Sequence, residues 1–204
     1  MKKYILFLLL LSISVFGQVI KVKHTAYEIT FDTKIYEPLY THYILSPKNA
    51  LLKTNQKEDR TIFKQDTLVD LNKQGSDDDY KGQKKYDRGH LAPNNDFRYN
   101  YNVEYDSMLY TNCSPQVYSF NRGVWHSLEM YVEDIAKKGY EVEVWTGCIY
   151  GNKKIGKLLI PTFYWKLIKY NGVYEAYSLP NSKNNKHDFK SYKVNPEELQ
   201  KLIN

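Results

Sequence analysis

Cysteine is nearly absent from this sequence, which has only Cys113 and Cys148 among its 204 residues. Two cysteines at this spacing, with no histidine pair nearby, do not form the four-ligand set of a structural zinc site. The sequence therefore argues against a zinc-stabilised domain. An oxidising compartment would allow a disulfide between the two residues. Two buried free thiols are the alternative, and both stay open because the sequence does not give the separation of the two Cα atoms.

Long apolar runs are also lacking, apart from one at the beginning of the chain. Residues 1–3 form a short basic start, residues 4–16 are mostly apolar, and Val15 and Gly17 offer small side chains before a candidate cleavage point. This layout predicts a secretory signal peptide over residues 1–17. The alternative is a membrane anchor, but the run is short for a full span and no second run follows it.

Cleavage after Gly17 would leave residues 18–204, a length that suits one domain with its own core. We expect this domain to be secreted or periplasmic, with no stable membrane association after cleavage. The sequence does not distinguish the periplasm from the medium, and no pattern in it indicates the oligomeric state.

Arginine is scarce as well, and its few positions are uneven. All the arginines lie between positions 60 and 122, whereas lysines occur along the whole chain. The rigid guanidinium group suits bidentate phosphate binding better than an ammonium group does. This distribution therefore points to a phosphate site, with chance as the alternative for so small a sample. The formal net charge of +6, two lower without Lys2 and Lys3, fits a polyanionic partner without demonstrating one. The four arginines are Arg60, Arg88, Arg98 and Arg122.

Residue patterns predict an α+β domain with several strands and few helices. Alternating or short apolar segments predict strands over residues 36–45, 108–111, 140–150, 160–170 and 173–179. Asn171-Gly172 predicts a hairpin turn between the last two strands. Apolar residues at three- and four-residue steps predict a helix over residues 121–138, and Asn195 is the expected cap of a short terminal helix. Residues 75–85 are polar and are expected to form an exposed loop.

Four residues that could form part of a functional site are adjacent at Asp87-Arg88-Gly89-His90. The guanidinium group can bind phosphate and the imidazole can transfer protons. For a histidine alone, a satisfied polar residue at the end of a strand is the better interpretation, with Asp87 and Arg88 as a plain surface pair. The density of such residues here, and a second polar cluster downstream, favour a functional site.

The second cluster comprises residues 112–116 and residues 121–129. Asn121 falls at the predicted start of the helix, and Glu129 lies a little over two turns further on, roughly on the same side. Taken alone, Asn121 would be interpreted as a helix cap and Glu129 as an ordinary residue of the helix surface.

Together these segments resemble the DNA/RNA non-specific endonuclease family, which includes the secreted Serratia-type nucleases and mitochondrial endonuclease G. The motifs are Asp-Arg-Gly-His at 87–90, Asn-x-Ser-Pro-Gln at 112–116, Asn-Arg-Gly-x-Trp-x-x-Leu-Glu at 121–129, Arg-x-x-Phe-x-x-Asp at 60–66 and Val-Trp-Thr-Gly at 144–147. A four-residue match alone is weak, whereas several ordered motifs at agreeing separations are specific. The resemblance covers roughly residues 40–180.

The resemblance implies a central antiparallel sheet with a ββα-metal core, also called a His-Me finger. In that core His90 would end the first strand, residues 108–112 would form the second, and the helix from Asn121 would complete the unit.

The activity that the resemblance implies is metal-dependent hydrolysis of phosphodiester bonds in DNA and RNA, without sequence preference. His90 is expected to be the general base that takes a proton from water, since imidazole exchanges protons near neutral pH. Asn121 is the expected single protein ligand of Mg²⁺, with Mn²⁺ as an alternative, because Mg²⁺ prefers oxygen ligands and keeps several waters. Glu129 is expected to hold those waters.

Several further residues are expected to contact the substrate or support the site. Asp87 either orients a neighbour or braces the local backbone, and Gly89 is expected to let the backbone turn or approach closely beside His90. Certain secreted relatives have an arginine one turn beyond Glu129, where this chain has Glu133, which predicts weaker phosphate binding on that side. Because phosphate contacts dominate, we expect little sequence readout and binding that weakens steeply with salt. The expected substrate contacts are Arg60 and Arg88 on phosphate oxygens, with Asn112 and Arg122 in support.

Two competing interpretations follow from the same residues. One is a nucleic-acid-binding module that has this fold without catalysis, and the other is a phosphodiesterase that acts on small diesters. Chelator-sensitive cleavage of plasmid and RNA would distinguish the nuclease from both.

Overall fold

A computed structural model describes residues 19–52, 62–183, 185–186 and 188–203. The predicted signal peptide and Arg60 therefore lie outside the described residues. In the part of the chain that is described, no helix has the length and apolar character needed to cross a membrane.

Antiparallel strands dominate the fold, which confirms the predicted α+β class. The strands are β1 Val19–Lys23, β2 Tyr27–Asp32, β3 Glu37–Leu45, β4 Tyr86–His90, β5 Cys113–Val117, β6 Val142–Ile155, β7 Leu158–Tyr170, β8 Val173–Pro180 and β9 Lys193–Val194. Seven of them form one sheet in the order β1-β2-β3-β6-β7-β8-β9, and two form a separate hairpin, β4-β5. Asn171 and Gly172 both have positive φ, 46° and 73°, as the predicted tight turn between β7 and β8 requires.

Most of the described helices are short, and one long helical stretch crosses the sheet. We call this stretch the site helix; it runs through α4 (Tyr118–Phe120), a five-residue π-helical segment (Asn121–Trp125) and α5 (His126–Lys137), with a kink at Gly123. Its buried residues Leu128, Val132 and Ile135 belong to the main core, together with Val144 and Ile168 of the sheet. Burial of one such side chain stabilises the fold by about 1.5–3 kcal/mol, so the helix is fixed firmly on the sheet. The helices are α1 Pro47–Leu51, α2 Asp77–Tyr80, α3 Tyr101–Ser107, α4 Tyr118–Phe120, α5 His126–Lys137 and α6 Pro196–Gln200.

The predictions for β3, β6, β7 and β8 are confirmed to within a few residues at most ends. Asn195 caps α6, as predicted, through a bond of 3.1 Å from the Glu197 N–H to its Oδ1. The predicted helix over residues 121–138 is also confirmed, but it begins earlier, at Tyr118. Asn121 is therefore not an N-cap and lies inside the helical stretch.

Two predictions are wrong. The stretch expected as an exposed loop, residues 75–85, contains α2, because Ser76 and Asp79 form a capping box and three acids favour the positive end of a helix. The strand expected over residues 108–111 is instead a turn of 3₁₀ helix at Tyr110–Asn112, and the second hairpin strand is β5, Cys113–Val117.

Pro115 lies inside β5, where a proline would ordinarily break a strand. Its carbonyl points away from β4 and accepts a bond of 3.0 Å from the Asn181 side chain. Because the nitrogen and the carbonyl of one strand residue face the same side, the missing N–H costs the β4–β5 hairpin no hydrogen bond.

Candidate active site

The site lies where β4 meets the beginning of the site helix. Asp87 of β4 accepts a hydrogen bond of 3.0 Å from Asn121 Nδ2. The same carboxylate accepts two more, of 2.9 and 2.8 Å, from Arg122. Of the two roles left open for Asp87, the structure shows the first, since its side chain orients two neighbours on the helix.

The bond to Asp87 determines which way the Asn121 amide faces. A carboxylate only accepts hydrogen bonds, so the amide nitrogen must point at Asp87 and the carbonyl oxygen must point elsewhere. Asn121 begins the π-helical segment, which contains the non-helical residue Gly123 with φ and ψ both at −111°. Such widened turns occur often at functional sites.

His90 lies at the C-terminal end of β4, as predicted, and is partly buried. Its ring packs on Phe63 with the centroids 5.0 Å apart. Nε2 lies 3.3 Å from the sulfur of Met108. These contacts restrict the rotation of the imidazole and place Nε2 against Met108.

Arg88 shares the face of β4 that carries His90, because alternate strand residues point the same way. Its guanidinium donates to Tyr110 Oη at 3.0 Å and to Asp77 Oδ1 at 2.5 Å. The Asp77 side chain is 74% exposed, and exposed ion pairs are worth at most about 1 kcal/mol. A phosphate could therefore replace Asp77 at little cost, while Tyr110 keeps the guanidinium in place.

Gly89 faces the buried side of the hairpin, where space is lacking. A Cβ atom on this residue would lie 2.1 Å from Gln116 Oε1 and 2.4 Å from Gln116 Cβ. Any larger residue would push the two hairpin strands apart, so the expected close approach at Gly89 is confirmed.

Asn112 was expected to contact substrate, but its side chain is fully buried. Its Oδ1 accepts from the Ala92 N–H at 2.9 Å, and its Nδ2 donates to the carbonyls of Ala92 and Ser107 at 2.8 and 2.9 Å. The two bonds to Ala92 hold the backbone just after His90, and the third ties Asn112 to the end of α3. The structure thus places Asn112 as a support beneath the site and leaves it no polar atom for a substrate.

Glu129 lies in the first turn of α5, with its side chain 16% exposed and one oxygen 3.7 Å from His126 Nδ1. Glu133, one turn further, is buried and bound to Asn95 Nδ2 at 2.6 Å and Lys137 Nζ at 3.0 Å. Its charge is thus compensated within the protein, so its repulsion of a phosphate is weaker than its sequence position suggests.

The predicted site residues form two groups joined by β4. Asp87, Asn121 and Arg122 form one group, and Arg88 and His90 belong to the other. Sequence reasoning missed the partners that fix the second group, because they come from distant parts of the chain; only Phe63, within the Arg-x-x-Phe-x-x-Asp stretch, carried any signal. The missed partners are Phe63, Asp77, Met108 and Tyr110.

The donor chemistry fits a hard divalent cation. Among the described residues there is no cluster of three or more His, Cys, Asp or Glu side chains that could enclose a metal ion. An ion that keeps most of its waters, such as Mg²⁺, needs few protein ligands. The Asn121 carbonyl oxygen, turned away from Asp87, is suitable for that purpose.

Cys113 and Cys148 are both buried free thiols, so the disulfide alternative is not realised in this structure. Burial raises the pKa of both thiols far above the usual range. Neither is therefore a nucleophile at neutral pH.

Comparison with known proteins gives a consistent result. The family model described as DNA/RNA non-specific endonuclease matches residues 11–204. Similar proteins include a nuclease of Nostoc sp., 30% identical over 57% of this chain and 48% of its own length. The mitochondrial nuclease of Saccharomyces cerevisiae is 31% identical over 58% of this chain and 41% of its own. Human mitochondrial endonuclease G is 26% identical over 61% and 41%, respectively.

The aligned part of this chain thus spans somewhat less than half the length of these curated relatives. A crystal structure of the EndoG/EndoGI complex contains a similar fold. It superimposes with a TM-score of 0.76 and 25% identity, and the match covers 91% of this chain and 84% of that chain. This likeness supports the predicted ββα-metal architecture.

Proposed function

The chain belongs to the DNA/RNA non-specific endonuclease family, and from this we propose that it hydrolyses phosphodiester bonds in DNA and RNA without sequence preference, with the help of a divalent metal ion. One observation carries the proposal. The strand that ends in His90 also holds, through Asp87, the amide nitrogen of Asn121, so a base and an oxygen ligand are supported by the same short strand.

His90 is the general base in this proposal. A thioether sulfur has no proton to give, so the contact between Nε2 and Met108 is a hydrogen bond only when Nε2 carries the hydrogen. A proton on Nε2 would leave Nδ1 as the basic nitrogen of the neutral ring. Nδ1 would then take the proton from the water that attacks phosphorus.

Asn121 would hold the metal ion through its carbonyl oxygen, with Mg²⁺ the expected ion and Mn²⁺ the alternative. The ion would neutralise negative charge on the phosphate and on the departing 3′ oxygen. Glu129, on the same helix, would orient water molecules around the ion. Asp87 would keep the Asn121 amide from turning over, which is the role of an outer hydrogen-bond partner at a metal site.

Arginines on both groups of the site would bind the substrate backbone. Arg122 is 71% exposed and tied to Asp87 by an ion pair, which at this exposure is weak enough to yield to phosphate. Arg88 would exchange Asp77 for a phosphate oxygen. Arg60, which lies outside the described residues, is proposed for the same task on the strength of the family motif alone.

A cleft of about 620 Å³ beside the start of the site helix offers room for the neighbouring nucleotides. It is lined by two lysines, Lys85 and Lys183, and by Tyr118, which is half exposed and precedes Asn121 by one turn. A ring on which any base can stack, flanked by cations, binds a strand without reading its sequence.

Location forms a second part of the proposal. The relatives include mitochondrial nucleases, so export of this chain rests on the sequence of residues 1–17. We expect the protein recovered from periplasm or medium to begin at Gln18, as N-terminal sequencing would show. A chain that retains Met1 and stays with the membrane fraction would support the anchor instead.

A panel of substrates tests the proposed activity. With Mg²⁺ present, we expect plasmid DNA, single-stranded DNA and mixed-sequence RNA all to be cut at many positions. A small diester such as bis(p-nitrophenyl) phosphate should react far more slowly, because the binding energy of the neighbouring phosphates is lost. Binding without cleavage would identify a binding module, and a preference for the small diester would identify a phosphodiesterase.

A further inference from the structure

Lys166 is a fully buried lysine beneath the site helix. It lies in the middle of β7, directly opposite Thr146 of β6, between the buried neighbours Trp165 and Leu167. Lysine is among the residues least often buried completely, and an ammonium group without compensation is costly inside a protein. Its presence at this position therefore needs a physical reason.

Two contacts hold the ammonium group in place. Nζ donates a hydrogen bond of 2.6 Å to Thr146 Oγ1. It also lies 4.9 Å from the centroid of the Trp125 ring, within range of a cation–π interaction. Trp125 is itself fully buried and closes the π-helical segment that begins with Asn121. The ammonium group thus lies against the core-facing side of the helical segment that contains Asn121, the proposed metal ligand.

Two carboxylates compensate the charge through space. Burial lowers the pKa of Lys166, while the negative charges of Glu129 and Asp96 oppose that shift. Glu129 follows Trp125 by one helical turn, so both project from the same side of the helix. Asp96 is buried and accepts a hydrogen bond of 2.7 Å from Tyr43. Among the described residues, no carboxylate forms a direct ion pair with Lys166.

This arrangement is poorly suited to stability alone. A whole buried pair of opposite charges can often be replaced by apolar residues of similar volume with no loss of stability, whereas removal of one partner leaves the other without compensation. Met would fill the space of Lys166 and keep the contact with Trp125. The burial of this charge is explained better by its electrostatic effect on another group. On the site helix, the charged group that it attracts is Glu129.

We propose that Lys166 is a positioning residue of the nuclease site, whose buried ammonium group holds Trp125 and the Glu129 carboxylate in the arrangement needed for catalysis. The inference rests on the proposed function and adds to it a residue from outside every motif of the family resemblance. Lys166 touches neither substrate nor metal in this account and acts only through the site helix.

A double-mutant cycle tests the inference on the full-length protein with plasmid DNA and Mg²⁺. We expect Lys166→Met to lower kcat by about 10- to 100-fold, the usual effect of losing an outer partner, with KM little changed. In the Glu129→Gln background the same substitution should lower kcat less than twofold. Lys169→Met is the matched control, since Lys169 is on the same strand but pairs with Glu143 at the surface, and it should leave kcat unchanged.

Equal losses of kcat in both backgrounds, or an unchanged kcat in Lys166→Met, would overturn the inference and leave the proposed function intact. Absence of cleavage by the wild type would overturn both. If Lys166→Met does not fold, Thr146→Val removes the hydroxyl that fixes the ammonium group. It should then lower kcat in the wild-type background and not in Glu129→Gln; any other pattern overturns the inference.

Discussion

His90→Ala is expected to abolish most cleavage of plasmid DNA while the protein stays folded. General-base catalysis contributes about 10²- to 10⁴-fold to a rate, and no second imidazole lies beside His90 among the described contacts of the site. The loss should appear in kcat, because phosphate binding by Arg88 and Arg122 does not involve the imidazole. Initial rates of nicking over a range of plasmid concentrations would measure it.

The matched control is His42→Ala. His42 stacks on Trp145 with the centroids 4.7 Å apart and contacts Glu143 at 3.0 Å, away from β4 and the site helix. Its removal should leave the rate unchanged. A His90→Ala protein with a normal melting temperature and more than a tenth of the wild-type rate would remove the assigned base from the mechanism.

Asn121→Ala is expected to weaken metal binding and to lower cleavage by at least about 100-fold at low Mg²⁺, since it deletes the proposed protein ligand. Partners that only orient a ligand typically contribute 10- to 100-fold, and the ligand itself should contribute more. Mn²⁺ binding measured by calorimetry gives a readout that does not depend on turnover. Asn102→Ala, an exposed asparagine on α3, is the control and should change neither quantity.

Asp87→Asn, measured in the same experiment, tests the orientation of the Asn121 amide separately from its binding of the metal ion. An amide at this position can donate as well as accept, so it no longer dictates which side of Asn121 faces it. We expect a loss of about 10- to 100-fold that a high concentration of Mg²⁺ partly restores. Asn121→Ala with normal Mn²⁺ affinity, or Asp87→Asn with a full wild-type rate, would contradict this arrangement.

The sequence was most informative where a local pattern and the tertiary structure favour the same element. The alternation in β6 was predicted because one face of that strand is buried, and the tight turn was predicted from Asn171-Gly172; β7 was also predicted, although its residues 164–168 are buried on both faces. The core helix was predicted from its apolar face. Its first turn was missed because Tyr118 is exposed and Asn121 resembles an N-cap. In the structure, a π-helical segment joins this first turn to α5.

The prediction over residues 75–85 failed although the capping box of Ser76 and Asp79 is a local pattern, whereas the other failures arise from contacts that the local sequence does not show. The 3₁₀ turn before β5 exists because the Asn112 side chain binds backbone groups of Ala92 and Ser107, and no local pattern indicates those bonds. Likewise, Asp77 and Tyr110 surround Arg88 only after the chain has folded. The motif predicted that residues 87–90 form a site; the three-dimensional contacts assign Asp87 to the helix and His90 to a pocket with Phe63 and Met108.

Glu133 shows what a position in the sequence does not reveal about a charge. It stands where certain relatives have an arginine, which predicts weaker phosphate binding on that side. In the structure its carboxylate is buried and paired with Asn95 and Lys137, so most of its charge is compensated inside the protein.

A single time course of plasmid nicking shows whether β4 and the site helix form a metal-dependent nuclease site. Wild-type protein is incubated with closed circular plasmid and Mg²⁺, then with a chelator, and finally with excess Mg²⁺. We expect nicking to stop on chelation and to resume when Mg²⁺ is restored. Nicking that continues unchanged in the chelator, or no nicking at any stage, would rule out this site.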